Sequence, residues 1–146
     1  MRPTSNGGIS PRLAGWESRL AAVIEAARHR EYQLGTHDCF RLSCAVVEAL
    51  TGTDLWPEYA GRYLSRRESL VLMATKGTTF DACFDRVFGV PRGPTAHARR
   101  GDIVKYTDPK GEHHLGICLG ADIAVLDQAG LVFLPRTAAT HCWAIG

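Results

Sequence analysis

Apolar positions change their period along this chain. In the N-terminal part they recur every three or four residues. Leu13, Trp16, Leu20, Val23, Ile24 and Ala27 line one face of a helix predicted over residues 10–28, with Ser10 as N-cap and Pro11 as its first residue. After a short loop, Tyr32 to His37, a second helix is predicted from an Asp38 cap to Gly52, burying Leu42, Val46 and Leu50. Residues 55–63 carry no regular period. Ser65-Arg66-Arg67-Glu68 is a capping-box pattern opening a third helix that ends near Gly77, and Thr78-Thr79-Phe80-Asp81 opens a fourth that closes at Gly89. Pro91 to Pro94 breaks the chain. Beyond it the apolar residues come in short runs of strand character, at 101–106, 113–119, 123–126, 131–134 and 142–145, with turns at Asp108-Pro109-Lys110-Gly111 and Ala129-Gly130. Helices first and an antiparallel meander afterwards predict an α+β domain, its N-terminal helices packed on a sheet of roughly four to six strands. Met1 to Ile9, polar and glycine-rich, is expected to be a flexible arm ahead of one domain over residues 10–146.

Composition narrows the function classes. With 45% hydrophobic and 22% charged residues, a chain of 146 residues can bury one ordinary core. The net charge is +2 and the densest basic spots are only the pairs Arg66-Arg67 and Arg99-Arg100, so no nucleic-acid groove is expected. No apolar run reaches the roughly 18 residues of a membrane span. The N-terminus lacks the apolar core of a signal peptide, so synthesis in a cytoplasm is expected. Five cysteines without a CxxC pair indicate neither a disulfide framework nor a zinc site, and no metal or other cofactor is expected. Cys44, Cys83, Cys118 and Cys142 sit in apolar runs and read as small core residues. Cys39 differs, because polar residues precede it.

A cysteine at a helix start faces the positive end of the helix dipole and backbone N–H groups without helical partners, both of which favour the nucleophilic thiolate. The Cys39 N–H is also a donor for a developing oxyanion. Such a nucleophile needs a base, and His114, entering the apolar strand of HHLGICLG, is held at a rigid sheet end. His37, just before the Asp38-Cys39 pair, either shapes the loop or titrates near the thiol. The bland alternative is that Cys39 is a small buried residue and that His113-His114 is polar because it follows a turn.

YQLGTHDC, a helix ending in a TG turn, ARRGDIVKY and HHLGICLG occur in that order. The combination resembles the NlpC/P60 papain-like cysteine peptidases. It is more similar still to a branch of that superfamily encoded among tail genes of bacteriophages and prophages, which shares the GICLG strand, the GLVFLP segment and the terminal Trp143. The likeness spans roughly Leu13 to Ile145 and implies a papain-like NlpC/P60-type fold. It implies Cys39 as nucleophile, Asp38 as its capping neighbour, Tyr32 beside substrate and oxyanion together with Asp38 and His37, and His114 as base. The residue that orients the base falls at Leu126 in the matching position, which leaves Asp127 or Gln128 for the role. Leu34 replaces the usual Trp, and Phe40-Arg41 replaces the Ser-Gly that follows the cysteine in active peptidases.

Two functions follow from this likeness. One is a tail-tip peptidase or amidase that opens peptidoglycan peptides during entry; the other is a structural tail component that keeps the fold without the activity. Both imply synthesis in the bacterial cytoplasm, assembly into the virion tail and other tail proteins as partners, with peptidoglycan a further partner of the first. The arm and the aromatic stretch from Leu55 to Leu64, with Trp56, Tyr59 and Tyr63, are the expected contact surfaces.

Overall fold

The computed structural model describes residues 8–146. Four helices precede a sheet: α1 (Trp16–Arg28), α2 (Cys39–Thr51), α3 (Arg66–Ala74) and α4 (Phe80–Phe88), then β1 (Gly93–Pro94), β2 (Ile103–Thr107), β3 (His113–Cys118), β4 (Asp122–Asp127), β5 (Gly130–Pro135) and β6 (Ala139–Trp143). The sheet is antiparallel in every pairing, with order β1-β6-β2-β3-β4-β5. The architecture is α+β, as the period change predicts, and its six strands are the upper end of the expected four to six. β1 is missing from the sequence reading because two residues next to prolines carry no period.

The caps explain the helix boundaries. Asp38, Ser65 and Thr79 are extended and accept from the N–H groups of Arg41, Glu68 and Ala82, while Gly52 and Gly89 close their helices in the left-handed region. The first helix departs from expectation. It begins at Trp16 after a left-handed Gly15, because Ser10 is buried with its N–H on Thr53 Oγ1 and Leu13 N–H bonds the Leu50 carbonyl. The segment before α1 is thus tied along the end of α2 instead of continuing a helix. Most of the expected arm lies outside the described residues, but Ile9, its last member, is buried in the core. The third helix stops at Ala74, short of Gly77.

Strand alternation divides the sheet into two faces. Ile103, Leu115, Ile117, Ala124, Leu126 and Trp143 face the helices and pack with Leu42, Val46, Val47 and Leu50 of α2, Leu20 and Ile24 of α1, and Phe84 and Phe88 of α4. Val104, Cys118, Ile123, Val125 and Cys142 form a second cluster on the other face, with Ala98, Ala139 and the partly buried Tyr106. Cys44, Cys83, Cys118 and Cys142 are all buried and free, as core residues should be.

One carboxylate joins distant parts of the chain. Asp102, 1% exposed, accepts from Arg12 Nη2 (2.9 Å), Ile145 N (2.9 Å), Arg99 N (2.8 Å) and, more loosely, the Arg99 guanidinium. Arg12 completes the knot through the carbonyls of Ile145 and Arg100. Deleting one partner of a buried, fully bonded charge leaves the others unpaired. Asp102→Ala is therefore expected to lower the unfolding free energy by about 3 kcal/mol, read as a fall in the urea midpoint with unchanged slope. Arg99→Ala, whose side chain is half exposed, should cost clearly less.

Candidate functional site around Cys39

The site is built from the start of α2. Asp38 is 3% exposed and both its oxygens are used: Oδ1 accepts from Arg41 N at 2.8 Å, and Oδ2 accepts from Gly35 N at 2.8 Å and from the Tyr63 hydroxyl at 2.7 Å. One side chain thereby holds the incoming loop, the first helical turn and the loop after α2. Gly35 lies at φ 90° directly against the Tyr63 carbonyl, where any Cβ would collide with backbone. Tyr63, 4% exposed, and Tyr59, 6% exposed, point inward. This corrects the expectation that they form a contact surface: their rings are used inside, Tyr59 edge-on to Phe40 at 4.9 Å.

Cys39 is the first residue of α2 and lies in the wall of a cavity of about 960 Å³. The floor is aromatic, with Phe40, Tyr59, Tyr63, Phe80 and Phe84, and the rim is charged, with Arg66, Lys76, Asp108, Lys110, Glu112 and Asp127. Tyr32, Asp38, His114, Asp127 and Gln128 also line it, so the fold gathers every predicted site residue except His37. His37 is buried and opens instead onto a small groove beside α1.

The chemistry is less assembled than the placement. Burial pushes the Cys39 thiol up to about 11; hydrogen bonding to the Leu115 backbone and the N–H groups at the helix start oppose this, while the Asp38 charge adds to it. The resting group is a neutral thiol. His114 does not serve it: Nε2 pairs with Asp108 Oδ2 at 2.9 Å, and the ring stacks on Tyr106 at 5.8 Å. Alternation explains the choice. Leu115 and Ile117 face the helices, so His113 shares their side and lies 5.4 Å from the Phe80 ring, while His114 shares the far side with Tyr106, its cross-strand partner. The expectation that His114 faces the thiol from a central strand is thus replaced by a His114–Asp108 pair on the cavity rim. His113 is in turn held by Thr107 Oγ1 at 2.9 Å.

The third predicted role also changes hands. Leu126 is 1% exposed in the core, Asp127 Oδ1 accepts from Ala129 N at 2.8 Å to close the β4–β5 turn, and Gln128 is exposed in that turn. The carboxylate that orients His114 is Asp108, from the hairpin between β2 and β3. Its Oδ1 accepts from Lys110 N and Glu112 N, and the His114 bond holds it below the ordinary carboxylate range. The sequence pattern places Asp108 in a turn and assigns it no partner. The hairpin register, Tyr106 opposite His114, was the available signal. Tyr32 is half-buried, its phenol raised by burial first and then by the nearby Asp38 charge. Asp108, Glu112 and His114 offer three ligand atoms within 4.8 Å of one another, on the exposed rim.

A family model for a domain of unknown function, DUF6950, matches residues 11–145. The chain belongs to the DUF6950 family. No curated protein and no solved structure matches it. The DUF6950 match thus covers the whole of the region that builds the cavity.

Two outcomes follow from the buried polar groups of this DUF6950 chain. Tyr63→Phe removes a donor from the buried Asp38 carboxylate and should cost about 2 kcal/mol in chemical denaturation. His37 titrates below its ordinary 6.5, from burial first and then the Arg30 charge. The unfolded chain therefore binds the proton more readily, and this contribution is present above pH 6.5 and lost as the pH falls toward the depressed folded value. Melting temperatures should fall across that window in the parent and fall less in His37→Gln.

Proposed function

We propose that this DUF6950 chain is a phage tail-associated protein of the papain-like NlpC/P60 type, and that its Cys39 cavity binds peptide rather than cleaving it. The observation that carries the binding reading is the state of the two key groups: Cys39 is a half-buried thiol that desolvation holds neutral, and His114 is committed to Asp108. Without a base in contact among the described residues, none of them draws the proton from the sulfur. The cavity itself suits a peptide, since aromatic rings offer apolar contact while Arg66, Lys76, Asp108 and Glu112 meet its charged groups at the rim. The tail context, with synthesis in the bacterial cytoplasm and other tail proteins as partners, rests on the motif likeness.

A second reading has its own support. His114 with Asp108 is a base with its orienting carboxylate, on the same cavity as a cysteine at a helix N-terminus. If the β2–β3 hairpin swung the imidazole toward the sulfur, the thiolate would attack a peptidoglycan amide carbon. The amine would leave with the proton from the imidazole, and water would hydrolyse the thioester.

Alkylation of Cys39 against pH separates the two readings. In the binding reading the rate midpoint lies above the ~8.5 of a free thiol, His114→Ala leaves it unchanged, and peptidoglycan fragments are not cut. A midpoint below neutrality that moves up in His114→Ala, with fragment cleavage abolished by Cys39→Ala, would establish the hydrolase instead.

A further inference from the structure

A second concavity lies away from the Cys39 cavity, between the end of α1 and the start of α2. It is a groove of about 190 Å³ lined by Val23, Ala26, Arg30, His37, Leu42 and their neighbours Ala27, Arg41 and Ala45. His37 is 5% exposed. Its ring N–H donates to the Ala27 carbonyl, and Nε2 is a buried polar atom with no hydrogen-bond partner. Buried polar atoms are nearly always satisfied, and leaving one bare is costly. Something belongs at this nitrogen.

The charges around it indicate what. Arg30, just past the end of α1, and Arg41 of α2 both act on the ring as positive neighbours, and Asp38 opposes them. Among the described residues Arg30 forms no ion pair and Arg41 only stacks on Trp56, at 5.0 Å. Two arginines without ion-pair partners among the described residues line the same groove as an unsatisfied imidazole and act on it as positive neighbours, which makes the groove a receptor for negative charge. The exposed, unpaired Arg30 side chain is free to move as a ligand enters.

We propose that this groove is an oxyanion site: a carboxylate or phosphate oxygen bonds His37 Nε2 with one proton shared between them, and Arg30 and Arg41 balance its charge. Val23, Ala26 and Leu42 bound the groove, so the ligand is a small oxyanion or one carried on a short apolar stem. The site is independent of the chemistry at Cys39. Binding takes up a proton wherever free His37 is neutral, so affinity rises as the pH falls.

The test is an NMR titration of the whole chain, following the His37 imidazole, with sodium acetate and separately with inorganic phosphate. Sodium chloride at matched ionic strength is the control. The expected result is a saturable shift at millimolar anion, with acetate affinity approaching about tenfold per pH unit between the free and bound titrations of His37. Saturation by acetate alone identifies a carboxylate ligand, and saturation by phosphate alone a phosphoryl one. Arg30→Gln, a change at an exposed side chain, should weaken binding severalfold while leaving the melting temperature without anion unchanged. A shift that fails to saturate, that chloride reproduces, or that Arg30→Gln retains in full would overturn the proposal and leave His37 Nε2 to an ordered water.

Discussion

The site depends on the Asp38 carboxylate and its three hydrogen bonds. A buried carboxylate is tolerated only when its lone pairs are filled, and here the donors come from before, within and after α2. Because Gly35, Arg41 and Tyr63 all converge on it, the loop cannot slide along the helix start, and Cys39 is held in one orientation against Leu115. The same bonds occupy Asp38 structurally, while its charge still acts on Tyr32, His37 and Cys39. It caps and clamps, and both of its oxygens are already engaged.

Two forces compete at the Cys39 sulfur. The helix start favours thiolate, but at a helix terminus this is worth typically 0.3–1 kcal/mol, less than one pKa unit. Burial works the other way and wins, which is why the thiol rises to about 11. A cysteine at a helix N-terminus is thus not activated by its position alone. It needs exposure or a cationic partner, and the fold gives His114 to Asp108.

The two buried aspartates divide the labour of the fold. Asp102 ties the segment before α1 and the residues just after β6 to the start of β2, while Asp38 ties the loops around α2. Asp102 thus fastens the segment before α1 to the sheet, Asp38 fastens the loops around α2 to one another, and the cavity opens beside α2 where α3 and the β2–β3 hairpin approach. α3 has no fully buried residue, and Leu64, Leu70 and Val71 beside the cavity remain exposed. Its packing rests on partly buried Leu72 and Met73.

What the sequence determined by itself is local. Period and capping chemistry were enough for α2, with Asp38 and Gly52 at its ends, for α4 closing at Gly89, and for the strands after Pro94, because these signals act over a few residues. The gathering of Tyr32, Cys39 and His114 at one cavity was legible only through the order of motifs. Tertiary structure decided the rest. Ser10-Pro11 has the local form of a helix start, yet its N–H is claimed by Thr53 and the helix begins later. Tyr59 and Tyr63, polar enough for a surface, fill the interior because Asp38 and Phe40 receive them. The partner of His114 was decided by strand alternation: a one-residue step on β3 carries a side chain to the other face of the sheet, where Asp108 and Tyr106 wait and Cys39 does not.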